Sequence, residues 1–169
     1  MTNVVVADAG PLIGMARIGH LSLLQSLYNV ITISPRVFEE LKISSDKPGA
    51  KAASEAINAG WIRVVALKRP SDSAILGSLI DAGEAESIQL ALEQKARLLI
   101  IDDKKGRRAA KGRGAQVIGT GGILISAKKA GFLRKVSPIL DELASVGYRL
   151  SPALCNRIIE LAEEGHNAK

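Results

Sequence analysis

Two unbroken apolar runs, residues 4–6 extended by Ala7 and residues 98–101, each stop on acid: Asp8 after the first, Asp102 and Asp103 after the second. A continuous apolar run is what a strand shows when both of its faces are buried, as in a parallel sheet covered by helices. Residues 30–33, 61–67 and 116–118 have the same strand character. Between these runs apolar residues recur at helical spacing. Residues 12–18 and 21–27 predict one or two short helices, and residues 36–41 a helix with Val37, Phe38 and Leu41 inward. Residues 50–59 give a helix stopped by Gly60, and residues 71–80 another. Gly83 reads as the start of a helix that buries Ala85, Ile88 and Leu92 and closes at Lys95-Ala96. A further helix follows Gly119-Thr120-Gly121-Gly122 through Lys129. Ser34-Pro35, Ser137-Pro138 and Ser151-Pro152 each pair a capping hydroxyl with a proline suited to the first helical position.

Strands alternating with helices, with no hairpin signal, predict one α/β domain: a three-layer α/β/α arrangement around a central parallel sheet. Residues 1–150 form that domain, and residues 151–169 add a C-terminal helix and tail packed on it, with Leu154, Ile158 and Leu161 on one stripe.

In open α/β sheets the ligand crevice lies outside the carboxyl ends of the strands, so Asp8, Asp102 and Asp103 are delivered to one edge. Glu40, in the second turn of its helix, and Glu84, near a helix start, extend the set. Hard divalent cations such as Mg²⁺ or Mn²⁺ take oxygen ligands from separate elements, and a pair of them about 4 Å apart can hold a phosphodiester and activate water. A carboxylate near a helix start also favours the helix dipole, an alternative account of Glu40 and Glu84 that covers the aspartates less well.

Charge changes the picture more than composition does. The chain has 169 residues, 47% hydrophobic and 3% aromatic, so its core is built from Ile, Leu, Val and Ala. Cys155, the one cysteine, has no internal partner, and no leader or membrane-length apolar run is present, so a soluble, cytoplasmic protein is expected. The net charge is +6, and Lys104, Lys105, Arg107, Arg108, Lys111 and Arg113 directly follow Asp102-Asp103. A basic run beside an acidic strand end suits phosphate contact, against the plainer account of a solvated helix face.

Other acid-bearing α/β chemistries fail on spacing. A dehalogenase-like phosphatase needs a second aspartate two residues after the first, where this chain has Gly10. A dinucleotide-binding turn needs Gly-x-Gly-x-x-Gly after the first strand, and Asp8-Ala9-Gly10-Pro11 stands there. The 119–122 turn could offer amides to phosphate, and a tight turn explains it equally well. His20 and His166 read as surface residues and Cys155 as core, so nucleophilic catalysis has no support.

Taken in order, VVVADAGPLI, SPRVFEEL, DAGEAESIQLALEQ, LLIIDDKKGRRAA and VIGTGGIL resemble the PIN-domain nucleases, in particular a VapC-like branch with GEAE in its third motif. The resemblance spans nearly the whole chain. It implies metal-dependent RNA cleavage, with Asp8, Glu40, Glu84 and Asp102 or Asp103 as site acids. It places Thr120 as a hydroxyl near the site, and a homodimeric toxin paired with a small antitoxin as the setting. Glu84 stands where most of that family has aspartate, and the extra methylene moves the carboxylate by more than about an ångström, enough to alter metal geometry and weaken catalysis. Two rivals remain: a catalytically silent PIN-like module that binds nucleic acid or regulates, and a small-molecule phosphate-handling α/β enzyme.

Overall fold

The computed structural model describes residues 2–70 and 80–165. The helix expected over 71–80 falls almost wholly outside the described residues, as do His166 and the end of the tail. The strands are β1 (Val5–Ala7), β2 (Ile31–Ile33), β3 (Ile62–Val64), β4 (Leu98–Ile100) and β5 (Val117–Ile118). The helices are α1 (Ala9–Arg17), α2 (Ser22–Tyr28), α3 (Pro35–Leu41), α4 (Ala50–Asn58), α5 (Ala82–Glu93), α6 (Lys104–Gly112), α7 (Thr120–Lys129), α8 (Ser137–Ser145) and α9 (Pro152–Leu161).

All four strand pairings are parallel, in the order β3-β2-β1-β4-β5. Val5, Ala7, Ile31, Ile33, Ile62 and Ile100 face one core, shared with α1, α2, α7 and α8. Val6, Leu99 and Ile101 face the other, shared with α5 and α6. Alternate residues of one strand thus enter opposite cores, the burial that an unbroken apolar run demands. The edge strand β3 is shorter than the expected 61–67: Arg63 and Val64 are exposed, and past its end Val65 and Leu67 pack partly buried against the second core without strand pairing beyond Val64.

The caps follow the sequence at two of three Ser-Pro sites. Ser34 Oγ accepts from Val37 N at 3.1 Å and Ser151 Oγ from Leu154 N at 3.1 Å, with proline at the start of each helix. Ser137 is itself the first residue of α8, and its hydroxyl donates to Glu164 Oε1. Glu164 takes over the capping from far along the chain. It accepts from Val136 N, Ser137 N and Lys128 Nζ, and these partners hold its carboxyl down at about 2. The helix start expected at Gly83 lies one residue earlier, at Ala82, because Asp81 is the cap and accepts from Glu84 N at 2.8 Å.

Helix α9 packs on α7 through one residue of the expected stripe. Ile158 is 3% exposed and fills the space above Gly121, where a Cβ would lie 2.7 Å from Ile158 Cγ1, whereas Leu154 and Leu161 are nearly half exposed. Ile158→Ala should therefore lower the urea-unfolding free energy by about 2–4 kcal/mol, and Leu154→Ala or Leu161→Ala by no more than about 0.5 kcal/mol. Equal losses at all three positions would show the whole stripe to be covered.

Candidate functional site

The strand order reverses between β1 and β4, and both strands end on acid. Ala7 pairs with Ile100, and Asp8 N donates to Ile100 O at 2.9 Å, so Asp8 and Asp102 leave the sheet at neighbouring points of one edge. That is the switch-point crevice where open α/β sheets take ligands.

Asp8 is the N-cap residue of α1, yet its side chain does not cap the helix. Oδ1 instead lies 3.0 Å from the hydroxyl of the fully buried Ser87, which is also 3.0 Å from Gly83 O. Ser87 thereby ties the end of β1 to the first turn of α5, the turn that carries Glu84. Helix α3 is held against the same turn from the other side. Arg36 N donates to Glu86 Oε2 at 3.1 Å, and Glu40 reaches so close to Gly83 that a Cβ there would collide with its carboxylate. The two glutamates of Gly83-Glu84-Ala85-Glu86 thus separate: Glu84 lies toward the acids, and Glu86 fastens α3.

Asp102 is the most heavily bonded acid. Oδ1 accepts from Thr120 N at 2.7 Å, and Oδ2 accepts from Thr120 Oγ1 at 2.5 Å and from the Tyr148 hydroxyl. Thr120 is completely buried, so its hydroxyl faces Asp102 rather than solvent. Tyr148 comes from the segment after α8, and its ring lies over Gly14 of α1, where a Cβ would be 2.9 Å from Cδ2. Asp103 caps α6, accepting from Gly106 N at 2.8 Å. Of the basic run, Lys104, Lys105, Arg108 and Lys111 are exposed on α6. Arg107 turns inward. Its Nη1 donates to Ile101 O at 3.2 Å and, like Asp102 Oδ1, stands 2.7 Å from where a Cβ of Gly119 would be.

The acids repel one another across this crevice. Burial above all, then the nearby Asp81 and Asp102, push Asp8 up to about 6 despite the Ser87 hydrogen bond. Burial, Asp81, Asp103 and Asp8 push Glu84 up to about 7. Glu40 is raised by burial, Asp8 and Asp81. Among the described residues none of these six carboxylates forms an ion pair. Such an oxygen-only, anionic and uncompensated donor set fits a hard divalent cation in charge and chemistry. The side chains are not drawn together around a point: among the described residues no group of three or more His, Cys, Asp or Glu stands ready to hold a metal ion.

Asp81, Ser87, Glu86 and Tyr148 were not among the sequence candidates. Asp81 carries a signal, an acid three residues before Glu84 in capping-box spacing, and Ser87 carries a weaker one as a polar residue on an apolar helix face. Tyr148 is 46 residues from Asp102, and nothing in the sequence links them. His20 pairs with Glu142 at 3.2 Å on the surface, and Cys155 packs half-buried against the core. Among the described residues no helix is long and apolar enough to cross a membrane.

A family model described as DUF3368: PIN domain matches residues 4–164. Among solved structures the chain is similar to a PilT N-terminus domain protein, SSO1118, from the hyperthermophilic archaeon Sulfolobus solfataricus P2. The TM-score is 0.54 at 23% identity, covering 73% of this chain and 93% of that one, a likeness of fold. No curated protein matches the chain.

The raised Asp8 gives a signed expectation. Its folded pKa lies above its unfolded value, so the folded state keeps a proton that the unfolded chain has lost. The stabilising contribution is complete below pH about 4 and is lost as pH rises through about 6. Asp8→Asn removes this loss while keeping an acceptor for Ser87. In metal-free buffer it should match the native protein near pH 4 and exceed it by about 2–3 kcal/mol at pH 8, read by urea unfolding at both pH values. A difference independent of pH would mean that Asp8 is not strained by its surroundings.

Proposed function

The chain belongs to the PIN domain family described as DUF3368, and from that premise we propose that it is a metal-dependent ribonuclease acting at the carboxyl edge of β1 and β4. The family gives a nuclease-type function. The finer reading rests on one observation, the placing of Asp8, Glu40, Asp81, Glu84, Asp102 and Asp103 near enough at one edge to raise one another's pKa, with no cation among the described residues paired to them.

In this reading Asp8, Glu84, Asp102 and Asp103 hold Mg²⁺ or Mn²⁺, with Glu40 flanking them. A bound divalent ion supplies a Lewis acid for the phosphodiester and a water of lowered pKa. Thr120 and Tyr148 orient Asp102 and touch no substrate. Ser87 orients Asp8. Lys104, Lys105 and Arg108, exposed on the first turns of α6, give the RNA backbone its counter-charge, while Arg107 is turned inward onto Ile101 O. The toxin half of a toxin–antitoxin pair, homodimeric and bound by a small antitoxin, is the setting that the sequence resemblance supports. Light-scattering mass and co-purification with the product of the neighbouring reading frame decide it.

A second reading, a PIN domain that binds nucleic acid without cutting it, has its own observation: Thr120 and Tyr148 already occupy both oxygens of Asp102. One experiment separates the two. Labelled single-stranded RNA should be cut in Mn²⁺ and left intact in EDTA, and Asp8→Asn should lower the rate at least about 100-fold while leaving RNA binding in EDTA equal or tighter. Tyr148→Phe keeps the ring over Gly14 but removes one of the two hydroxyls that orient Asp102 Oδ2, so the Mn²⁺ needed for half-maximal rate should rise about 10-fold with RNA affinity unchanged. RNA that is bound yet uncut in every divalent metal, by the native chain and by Tyr148→Phe alike, establishes the silent module.

A further inference from the structure

A second charged feature lies on the far side of Glu40 from the acid crevice. A cleft of about 470 Å³ opens between the C-terminal end of α1, the end of α3 and the start of α4. Its walls include Ile13, Leu41 and Ala53 beside Arg17, Lys42 and Lys47, and Glu40 closes one side. Local backbone geometry brings the three cations together. Lys42 is the C-cap residue of α3 in left-handed conformation, φ 49°, so the chain turns sharply there and Lys47 comes back beside it. Gly49 caps α4 at φ 88°, and a Cβ there would lie 3.0 Å from Ala16 Cβ and from Arg17 N, so the start of α4 is pressed directly onto the end of α1. No side chain caps α4, and the cleft-wall amides of Ala50 and Ala53 donate to Lys47 O and Gly49 O, so the cations are the donors the cleft has to offer.

Charges of one sign gathered by the backbone need an explanation in the fold or outside it. Among the described residues Arg17, Lys42 and Lys47 form no ion pair. The neighbouring Lys42 side chain above all, and Arg17 after it, lower the Lys47 pKa, so the cations stand close enough to disfavour one another. Glu40 is the one acid on the cleft wall, and among the described residues it pairs with none of the three.

We propose that this cleft is a phosphate subsite for a backbone phosphate of the same nucleic-acid strand that enters the acid crevice, held by Arg17, Lys42 and Lys47. The proposal rests on the nuclease reading for the identity of the strand. Continuity of the surface favours a nucleic acid over an acidic peptide: Glu40 lines the cleft and also meets the first turn of α5 at Gly83, so a strand crossing Glu40 passes from one site into the other. The cations on α6 and those of the cleft then flank the acids, on separate elements. A strand lying across both gains affinity from phosphates that are not cut, while the acids between them carry the chemistry.

The test measures binding of a single-stranded 12-nucleotide oligouridylate in EDTA, so that cleavage plays no part, over a range of salt. The double variant Arg17→Gln/Lys47→Gln should bind at least about 10-fold more weakly at low salt, and its log–log salt slope should fall by about 1.4, two contacts at about 0.7 each for a single strand. Lys129→Gln/Lys135→Gln removes equal charge outside the cleft and should leave the slope as it is. Matching circular dichroism and thermal midpoints for the two double variants exclude misfolding as the cause. An Arg17→Gln/Lys47→Gln slope equal to the native one overturns the subsite, whether or not the protein cuts RNA. So does a native protein that binds no oligouridylate. Displacement of the oligouridylate by an equimolar glutamate-rich peptide, abolished in the same double variant, also overturns it and gives the cleft to an acidic protein partner. A reduced slope in a protein that never cleaves leaves the subsite standing and removes only the nuclease reading.

Discussion

The parallel pairing of β1 with β4 carries the rest of the structure. These two strands are far apart in sequence and adjacent only because the chain, having laid β2 and β3 on one side, returns to the other side of β1. Three residue pairs, Val5 with Leu98, Val6 with Leu99 and Ala7 with Ile100, set the register. Side-chain direction alternates along each strand, so a slip of one residue would exchange the two cores and aim Asp8 and Asp102 away from one another. The acids meet because the apolar residues before them have nowhere else to go.

Crowding like charges at that edge opposes folding, and the structure sets fixed dipoles against it. Ser87, Thr120, Tyr148 and the amides of Thr120, Glu84 and Gly106 each donate to one of the acids. None is a cation, so the acids are held in place without being neutralised. A salt-bridged cluster would be more stable alone and would have no reason to take up a metal ion or a phosphate. Stability and readiness to bind are traded at the same atoms.

Much of this was legible in the sequence where the physics is local. Unbroken apolar runs mark two-sided burial, Ser34-Pro35 and Ser151-Pro152 mark helix starts, and acid after a buried strand marks the crevice. The failures are long-range. Ser137 looks like its fellow Ser-Pro pairs, but α8 is capped by Glu164, which no local pattern connects to it. The stripe on α9 is periodic, yet periodicity says how a helix could be buried and not how deep its partner reaches, and only Ile158 is covered. Gly83 reads as a helix start because glycine commonly punctuates helices. Its place is set instead by the Glu40 carboxylate, which leaves no room for a side chain.

The ring of Tyr148 occupies the space that a side chain at position 14 would need. The second helical turn of the chain and a loop 134 positions later are therefore two halves of one steric agreement. A homologue could not enlarge residue 14 without surrendering the aromatic, and with it the hydroxyl that holds Asp102. Across a set of related chains the two positions should drift together, small opposite aromatic, even though neither touches the crevice as a ligand. Such a pairing is a lineage marker written in volume rather than charge, and it separates members that keep Asp102 tethered from members that have let it go.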